Sequence, residues 1–249
     1  MNHLSGVDRL CNRFSVMRHA QSKANAGGII VSGIENDRRG DYGLTEHGRQ
    51  QAFAAARSCG LAGDTVIYSS DFSRARQTAE IVRAHLGAAE VVIAEALRER
   101  CFGHWEGSAT GNYARVWAAD EADAVHADGN VEAAAAVLDR ATALIAQLER
   151  RHCGRDILLV SHADTLQILQ TGCSGLDPSQ HRRLPQLATA EIRPLRLRPG
   201  NTISGLSPPP GQLLLNAARS RAVSRLISGQ AMVKISVPCI VPMTCRHRA

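Results

Sequence analysis

Four short apolar segments of the chain each lead into charged or histidine side chains. They are FSVM (14–17) before Arg18 and His19, TVIY (65–68) before Arg74, EVVI (90–93) before Glu99 and Arg100, and ILLV (157–160) before His162. Continuous apolar segments of this length are typical of strands buried on both faces of a parallel sheet. Ligand sites of such sheets lie at the carboxyl ends of the strands, so we expect these side chains to meet at one edge.

This set of side chains suits phosphoryl transfer. A phosphoryl group has three oxygens whose charge must be neutralised while the nucleophile and the leaving group line up. Arginine suits this role because it stays charged and presents forked donors to phosphate. Arg74 alone would be explained by an ion pair with Asp71 or Glu80. Several cations at one edge, however, repel one another unless an anion binds there, and a helix that begins near Asp164 would aim the Ala163 amide at that anion.

Amphipathic segments separate the apolar ones. We predict helices from Thr45, as the N-cap, to Gly60, and over 73–86 and 131–151, because small or apolar residues recur there at helical spacing. A last strand is predicted at 190–195. Strands that alternate with helices require crossover connections. The predicted fold is therefore α/β, a three-layer α/β/α sandwich with a mostly parallel central sheet.

The charge divides the chain near residue 198. All 23 acidic residues and 23 of the 29 Lys and Arg residues lie before that point, and the remaining six basic residues lie after it. We predict a short N-terminal lead at 1–12, a domain at 13–198, and a basic, Pro-containing, disordered extension at 199–249. No aromatic platform or RNA motif accompanies the basic residues of the extension, so nucleic-acid binding is not favoured.

The protein is expected to be cytoplasmic. No apolar segment approaches the roughly 20 residues that cross a bilayer, and no signal-peptide core precedes Phe14. The seven cysteines are scattered and contain no C-x-x-C pair, which favours reduced thiols. The sequence leaves the oligomeric state open.

Five blocks of the sequence, in order, resemble the histidine phosphatase superfamily, also called the phosphoglycerate-mutase-like family. They are MRHAQSKAN, LTEHGRQQA, YSSDFSRARQTA, LRERCFGHWEG and LLVSHADTLQI, within about residues 13–195. The resemblance implies a phosphoglycerate-mutase-like fold and a histidine phosphatase domain at 13–198. It also implies a nucleophile that forms a phosphohistidine (His19), ligands of the phosphoryl oxygens (Arg18, Asn25, Arg74 and His162) and a proton donor (Glu99). We expect Ser22, Arg100 and Ala163 to contribute to substrate binding as well, and neither a metal ion nor a cofactor to be needed.

Ala20 and Ala163 depart from the family pattern, which commonly has glycine after each catalytic histidine. A methyl group fits at these positions if the backbone angles are ordinary. We expect activity to survive the change.

The segment after Arg100 bears on the type of reaction. Its charged residues include Asp120, Glu121, Asp123 and Asp128 against Arg115. An acidic lid would repel a bisphosphate, so we predict a metal-independent phosphatase that acts on a small-molecule phosphomonoester. A cofactor-dependent phosphoglycerate-mutase-type phosphotransferase is the alternative that Arg100 keeps open, and a non-catalytic module that binds phosphorylated ligands is a third. The histidines at 104, 126 and 152 have no companions at metal-ligand spacing.

Overall fold

The computed structural model describes residues 1–198, where the strands form one sheet. The strands are β1 (Arg13–Arg18), β2 (Val66–Ser69), β3 (Val91–Ile93), β4 (Asp156–Ser161) and β5 (Ile192–Pro194). The α-helices are α1 (Lys23–Gly27), α2 (Ile34–Arg39), α3 (Glu46–Ser58), α4 (Ser73–Leu86), α5 (Tyr113–Ala122), α6 (Ala134–Arg151) and α7 (Ala163–Ser174). Short 3₁₀ helices lie at Glu95–Leu97, Gly103–Trp105, Thr110–Asn112, Asp128–Asn130 and Pro178–Arg183. The predicted extension at 199–249 lies outside the described residues.

The sheet has the strand order β3-β2-β4-β1-β5. The pairs β3/β2, β2/β4 and β4/β1 are parallel, and β5 is antiparallel to β1. The prediction of a mostly parallel sheet is confirmed. The central strands β1 and β4 lie side by side with Arg18 opposite Ser161, so their carboxyl ends are at the same height.

Helices cover both faces of this sheet, which confirms the three layers. Along β4, Ile157 and Leu159 belong to one apolar cluster, whereas Leu158 and Val160 belong to another. The first cluster includes Ala141, Leu144, Ile145 and Leu148 of α6 and Leu166, Leu169 and Cys173 of α7. The second includes Ala52 and Ala56 of α3 and Ala75, Ala79 and Val82 of α4. Alternate residues of a strand point to opposite faces, so a continuous apolar strand supplies both layers.

Two of the predicted helices agree with the structure and one is shorter. Thr45 caps α3 by accepting a hydrogen bond from Gly48 N at 2.9 Å, and α4 spans the predicted residues. Helix α6 was expected from Val131 but begins at Ala134. Val131 instead forms an isolated antiparallel bridge with Phe102. That pairing holds its backbone extended, and helical periodicity gives no sign of it.

The first twelve residues are packed onto the domain. Leu4 is buried in the first apolar cluster, and His3 N donates to Thr142 Oγ1 of α6 at 3.1 Å. Leu4, within the segment expected as a lead, is thus part of the hydrophobic core. Among the helices of residues 1–198, none is both long enough and apolar enough to cross a membrane.

We expect mild oxidation to join Cys11 and Cys153. Both thiols are exposed, and their Sγ atoms lie 3.1 Å apart, at the amino ends of β1 and β4. A disulfide that closes so long a loop is expected to raise the free energy of unfolding by about 4 kcal/mol. Treatment with oxidised glutathione, peptide mapping and urea unfolding will measure this, with Cys11→Ser as the control. Absence of the cross-linked peptide would contradict the expectation.

Candidate active site

The two strand-end histidines meet because β1 and β4 are neighbours in register. His19 N donates to Ser161 O at 2.9 Å, and the rings of His19 and His162 lie 5.1 Å apart. Ser70, directly after β2, lies with its Oγ 2.9 Å from His162 Nε2. Three adjacent strands therefore build the floor of the site, as their sequence positions predict.

The His19 ring is neutral, with the proton on Nδ1. Nδ1 lies 2.8 Å from Ala20 O, which can only accept, and Arg74 Nε donates to Nε2 at 3.1 Å. Burial and the adjacent arginines, Arg74 and Arg18, lower the pKa of His19 well below its usual value. Nε2 thus carries a lone pair, which is the state that a nucleophile needs. Burial, followed by the charge of Arg74, lowers the pKa of His162 in the same way.

Arg74 reaches His19 from the first turn of α4. Its Nη2 donates to Val31 O at 2.9 Å, and its Nη1 lies 3.6 Å from Asp37 Oδ1. Asp37, on α2, also accepts from Ser73 N at 2.7 Å and so holds the start of α4. Sequence reasoning did not single out Asp37. Its acidic side chain in the segment after MRHAQSKAN was visible, but its contact with the start of α4 was not.

Arg74 does not pair with Asp71 or Glu80, the two partners considered for it from the sequence. Asp71 pairs with Arg98 at 2.7 Å, and Glu80 pairs with Arg83 at 2.6 Å. Neither carboxylate competes for Arg74, which is 4% exposed.

The turn after β1 supplies Arg18, Ser22 and Asn25. Arg18 Nη1 donates to Leu187 O at 2.9 Å, which fixes its guanidinium at the cavity, and burial lowers its pKa. Ser22 caps α1, and Asn25 Oδ1 accepts from Ser22 N and Oγ, both at 3.0 Å. The Nδ2 donors of Asn25 are therefore not used by Ser22, and both residues line the cavity.

Glu99 enters the site on a segment fastened to β4 and α7. Ser161 Oγ donates to Leu97 O at 2.7 Å, and Thr165 Oγ1 donates to Arg98 O at 2.8 Å. Burial, followed by the negative charge of Asp164, raises the pKa of Glu99 to about 7. The carboxyl can therefore exchange a proton near neutral pH.

Arg100 was expected to contribute to substrate binding, but its side chain is bound to other residues of the protein. Its guanidinium is fully buried and forms a bidentate pair with Asp120 of α5 at 2.5 and 2.6 Å. Its Nε donates to Glu132 O at 2.6 Å, and the residue does not line the cavity. Arg100 thereby holds helix α5 in place, because a buried bidentate pair restrains both partners.

The acidic lid expected from the sequence is also arranged differently. Asp120 is buried between Arg100, His126 and His181, whose ring nitrogens lie 2.9 and 3.1 Å from its carboxylate. Glu121, Asp123 and Asp128 are outside the cavity lining. The acidic residues that line the cavity are Glu99 and Asp164 instead.

Helix α5 contributes two aromatic rings that sequence reasoning did not single out. Tyr113 and Trp117 stack with centroids 5.5 Å apart, and both line the cavity. They lie four residues apart, which is the spacing of neighbours on one helical face. That spacing was visible in the sequence, but the direction of the face was not.

Ala20 and Ala163 occupy their positions without backbone strain. Among the described non-glycine residues, only Asn130 and Ala190 have positive φ. Ala20 packs in the second apolar cluster, while Ala163 is the first residue of α7 and lines the cavity. The methyl groups therefore do not demand a conformation that only glycine adopts.

The cavity has a volume of about 220 Å³, and of the expected site residues Arg18, His19, Ser22, Asn25, Arg74, Glu99 and Ala163 line it, whereas His162 and Arg100 do not. Two buried donor atoms of lining residues, Arg18 Nε and Arg74 Nη1, make no hydrogen bond within residues 1–198. The buried Nδ1 of His162, which is not a lining residue, makes none either. Buried polar atoms are normally paired, so the two arginine atoms suit a bound oxyanion. In that part of the chain, no three His, Cys, Asp or Glu side chains are grouped to hold a metal ion.

Comparison with known proteins identifies a family and several relatives of this chain. The sequence model of the histidine phosphatase superfamily (branch 1) matches residues 14–204. A metal-independent phosphoserine phosphatase of Arabidopsis thaliana is 30% identical over 165 residues, 62% of this chain and 65% of that protein. A glucosyl-3-phosphoglycerate phosphatase of Mycolicibacterium vanbaalenii is 30% identical over 178 residues, 66% of this chain and 75% of that protein.

Solved structures share the fold. The native structure of mycobacterial glucosyl-3-phosphoglycerate phosphatase aligns with a TM-score of 0.63 and 28% identity, covering 73% of this chain and 88% of that one. Its complex with VO3 gives a TM-score of 0.64 and 27% identity over 73% and 90% of the two chains. The family match covers more than half of the sequence. The chain belongs to the histidine phosphatase superfamily.

Proposed function

We propose that this protein is a metal-independent phosphatase that hydrolyses a small-molecule phosphomonoester through a phosphohistidine on His19. The observation that carries the proposal is the state of His19. Its proton is on Nδ1, its Nε2 faces the buried guanidinium of Arg74, and Arg18 lines the same cavity. A neutral nucleophilic nitrogen between two cations suits attack on an anionic phosphorus centre.

In the first step, His19 Nε2 attacks phosphorus and the bond from phosphorus to the ester oxygen breaks. Glu99 gives its proton to that oxygen, so the leaving group departs as a neutral alcohol. A carboxyl with a pKa near 7 can serve as this acid. Arg74 Nε exchanges its contact with Nε2 for a phosphoryl oxygen as the new bond forms.

In the second step, a water molecule attacks the phosphohistidine. The carboxylate of Glu99 takes a proton from that water, the phosphorus–nitrogen bond breaks, and its electron pair returns to Nε2. Inorganic phosphate and neutral His19 result. One group with a pKa near 7 thus acts as acid in one step and as base in the next.

The charge of the phosphoryl group is balanced by protein groups in this scheme. Arg18, Arg74, the amide of Ala163 at the start of α7 and the donors of Asn25 border the cavity. A helix N-terminus and forked guanidinium groups are established ligands of phosphate. No cofactor is required.

The relatives support the same reaction class. Two of them are named as phosphatases of phosphoserine and of glucosyl-3-phosphoglycerate, and solved structures of the latter type hold VO3 and inorganic phosphate. Both named substrates are phosphomonoesters of small metabolites.

The two alternatives have less structural support. The mutase-type reaction was kept open by Arg100, but the guanidinium of Arg100 is bonded to Asp120 and does not line the cavity. A non-catalytic binding module would have no use for a buried carboxyl whose pKa lies near 7. Burial of such a group costs stability, and the catalytic scheme explains its presence.

Replacement of His19 by Ala is expected to abolish phosphate release and the phosphoenzyme together. The full chain is incubated with p-nitrophenyl phosphate in excess chelator and quenched at alkaline pH, because phosphohistidine is acid-labile. Mass spectrometry then locates the phosphate. Phosphate on a residue other than His19, or turnover that persists in His19→Ala, would contradict the proposal.

The loss of activity in Glu99→Gln is expected to be larger for a poor leaving group than for a good one. Loss of the general acid should lower kcat/KM for an alkyl phosphate by about 100-fold or more, whereas p-nitrophenolate leaves without a proton and its formation should change much less. For the wild type, kcat/KM on the alkyl ester should fall as pH rises through about 7, because Glu99 loses its proton. Equal losses for both esters would show that Glu99 does not act as the acid.

Glu99→Gln is also expected to stabilise the fold at alkaline pH. The pKa of Glu99 in the folded state is about 7, above the usual value of 4.5. The unfolded chain therefore ionises Glu99 at lower pH, and the free energy of unfolding of the wild type falls as pH rises from 4.5 to 7. Relative to wild type, the variant should gain about 3 kcal/mol in free energy of unfolding between pH 4 and pH 8. Urea unfolding at both pH values measures the gain, and no change with pH would contradict it.

A further inference from the structure

The cavity has a wall that the catalytic steps leave unused. Its polar and aromatic members are Thr110, Tyr113, Trp117, Asp164 and Gln186. Phosphorus must lie at His19 and the ester oxygen at Glu99, so the leaving group of a substrate occupies the remaining space beside this wall. The chemistry of the wall therefore selects the leaving group.

The charges of the cavity lining are unevenly placed. Its cations are Arg18 and Arg74, which border the phosphoryl position, and its carboxylates are Glu99 and Asp164. Among the described lining residues, no cation lies on the leaving-group wall. A carboxylate carried by the leaving group would face Asp164 there, with no lining cation to bind it.

Asp164 is held in place yet incompletely neutralised. Trp117 Nε1 donates to its Oδ1 at 2.9 Å, and Arg100 Nη1 is 3.4 Å from its Oδ2. Arg100 is already committed to Asp120 by two shorter bonds of 2.5 and 2.6 Å. An ionised carboxylate has about four acceptor positions, so Asp164 keeps acceptor capacity towards the cavity.

Trp117 itself is fixed by its neighbours. The Arg182 guanidinium carbon lies 3.7 Å from the centroid of the indole ring, and Gln167 Oε1 accepts from Arg182 Nη1 at 2.5 Å. Tyr113 stacks on the same indole. A carboxylate anchored to so restrained a donor has a defined position, which is what discrimination between substrates requires.

We propose that Asp164, held by Trp117, forms a subsite that selects phosphomonoesters whose leaving group carries an ammonium group and disfavours those whose leaving group carries a carboxylate. The proposal rests on the proposed function, because His19 and Glu99 define where the leaving group lies. Direct opposition of like charges in a desolvated site is the element that rejects the wrong substrate.

The test compares 2-aminoethyl phosphate with carboxymethyl phosphate, which are similar in size and opposite in charge at the leaving group. The ratio of kcat/KM values is measured for the full chain, for Asp164→Asn and for Glu121→Gln. Glu121 is an exposed acid of α5 outside the cavity lining, so it controls for the general effect of a lost charge.

We expect the wild type to favour the aminoethyl ester at least tenfold, Asp164→Asn to reduce that ratio at least fivefold, and Glu121→Gln to leave it unchanged. A wild-type ratio of one or below would overturn the proposal. So would an unchanged ratio in Asp164→Asn.

Binding separates this proposal from the proposed function. Dissociation constants of both esters are measured by calorimetry on His19→Ala and on His19→Ala with Asp164→Asn. If the wild type hydrolyses no ester while the affinity ratio still depends on Asp164, the proposed function fails and the subsite stands. If the affinity ratio does not depend on Asp164, the subsite fails whatever the turnover.

A second variant guards against misfolding of Asp164→Asn. Trp117→Phe keeps an aromatic ring but removes the Nε1 donor, so Asp164 loses its anchor and the substrate ratio should fall part of the way. A ratio equal to that of the wild type, in a variant with wild-type circular dichroism, would overturn the anchoring role of Trp117.

Discussion

The parallel pairing of β1 with β4 is the constraint on which the site depends. Arg18 is opposite Ser161, so the residues that follow, His19 and His162, leave the sheet side by side. Side chains alternate between the faces of a strand, so a shift of one residue would move one histidine away from the other. The apolar residues on both faces of these strands set that register, and the core thereby positions the two histidines.

Burial then determines the protonation states. His19 and His162 are nearly inaccessible, and two arginines lie beside them. A buried imidazole next to guanidinium groups remains neutral, whereas a buried carboxyl retains its proton to a higher pH. The same exclusion of water thus lowers the pKa of His19 and raises that of Glu99, as the roles proposed for the two residues require. This arrangement costs free energy unless an anion binds, because two guanidinium groups share one cavity and lack a full set of hydrogen-bond partners.

The sequence predicted those features that depend on local pattern. The strands were recognisable because they are continuously apolar. The proximity of Arg18, His19, Arg74, Glu99 and His162 was predictable because the carboxyl ends of parallel strands meet at one edge. Arg100 was misjudged, since its partner Asp120 lies twenty residues away on a lid helix whose packing no periodicity reveals. The start of α6 was misplaced for a similar reason, because the bridge between Phe102 and Val131 is a long-range pairing. The roles of Asp37, Tyr113 and Trp117 likewise depend on which way a short helix faces after folding.

The hydrogen bond from Arg74 Nε to His19 Nε2 has a consequence for reactivity in general. The lone pair of His19 Nε2 is occupied until another acceptor draws the guanidinium aside. A doubly charged phosphoryl group does so strongly, whereas a neutral electrophile such as an alkylating agent or an activated ester does not. In the proposed scheme, Arg74 thus shields His19 from adventitious modification in the resting protein, and the charge of the correct ligand uncovers it.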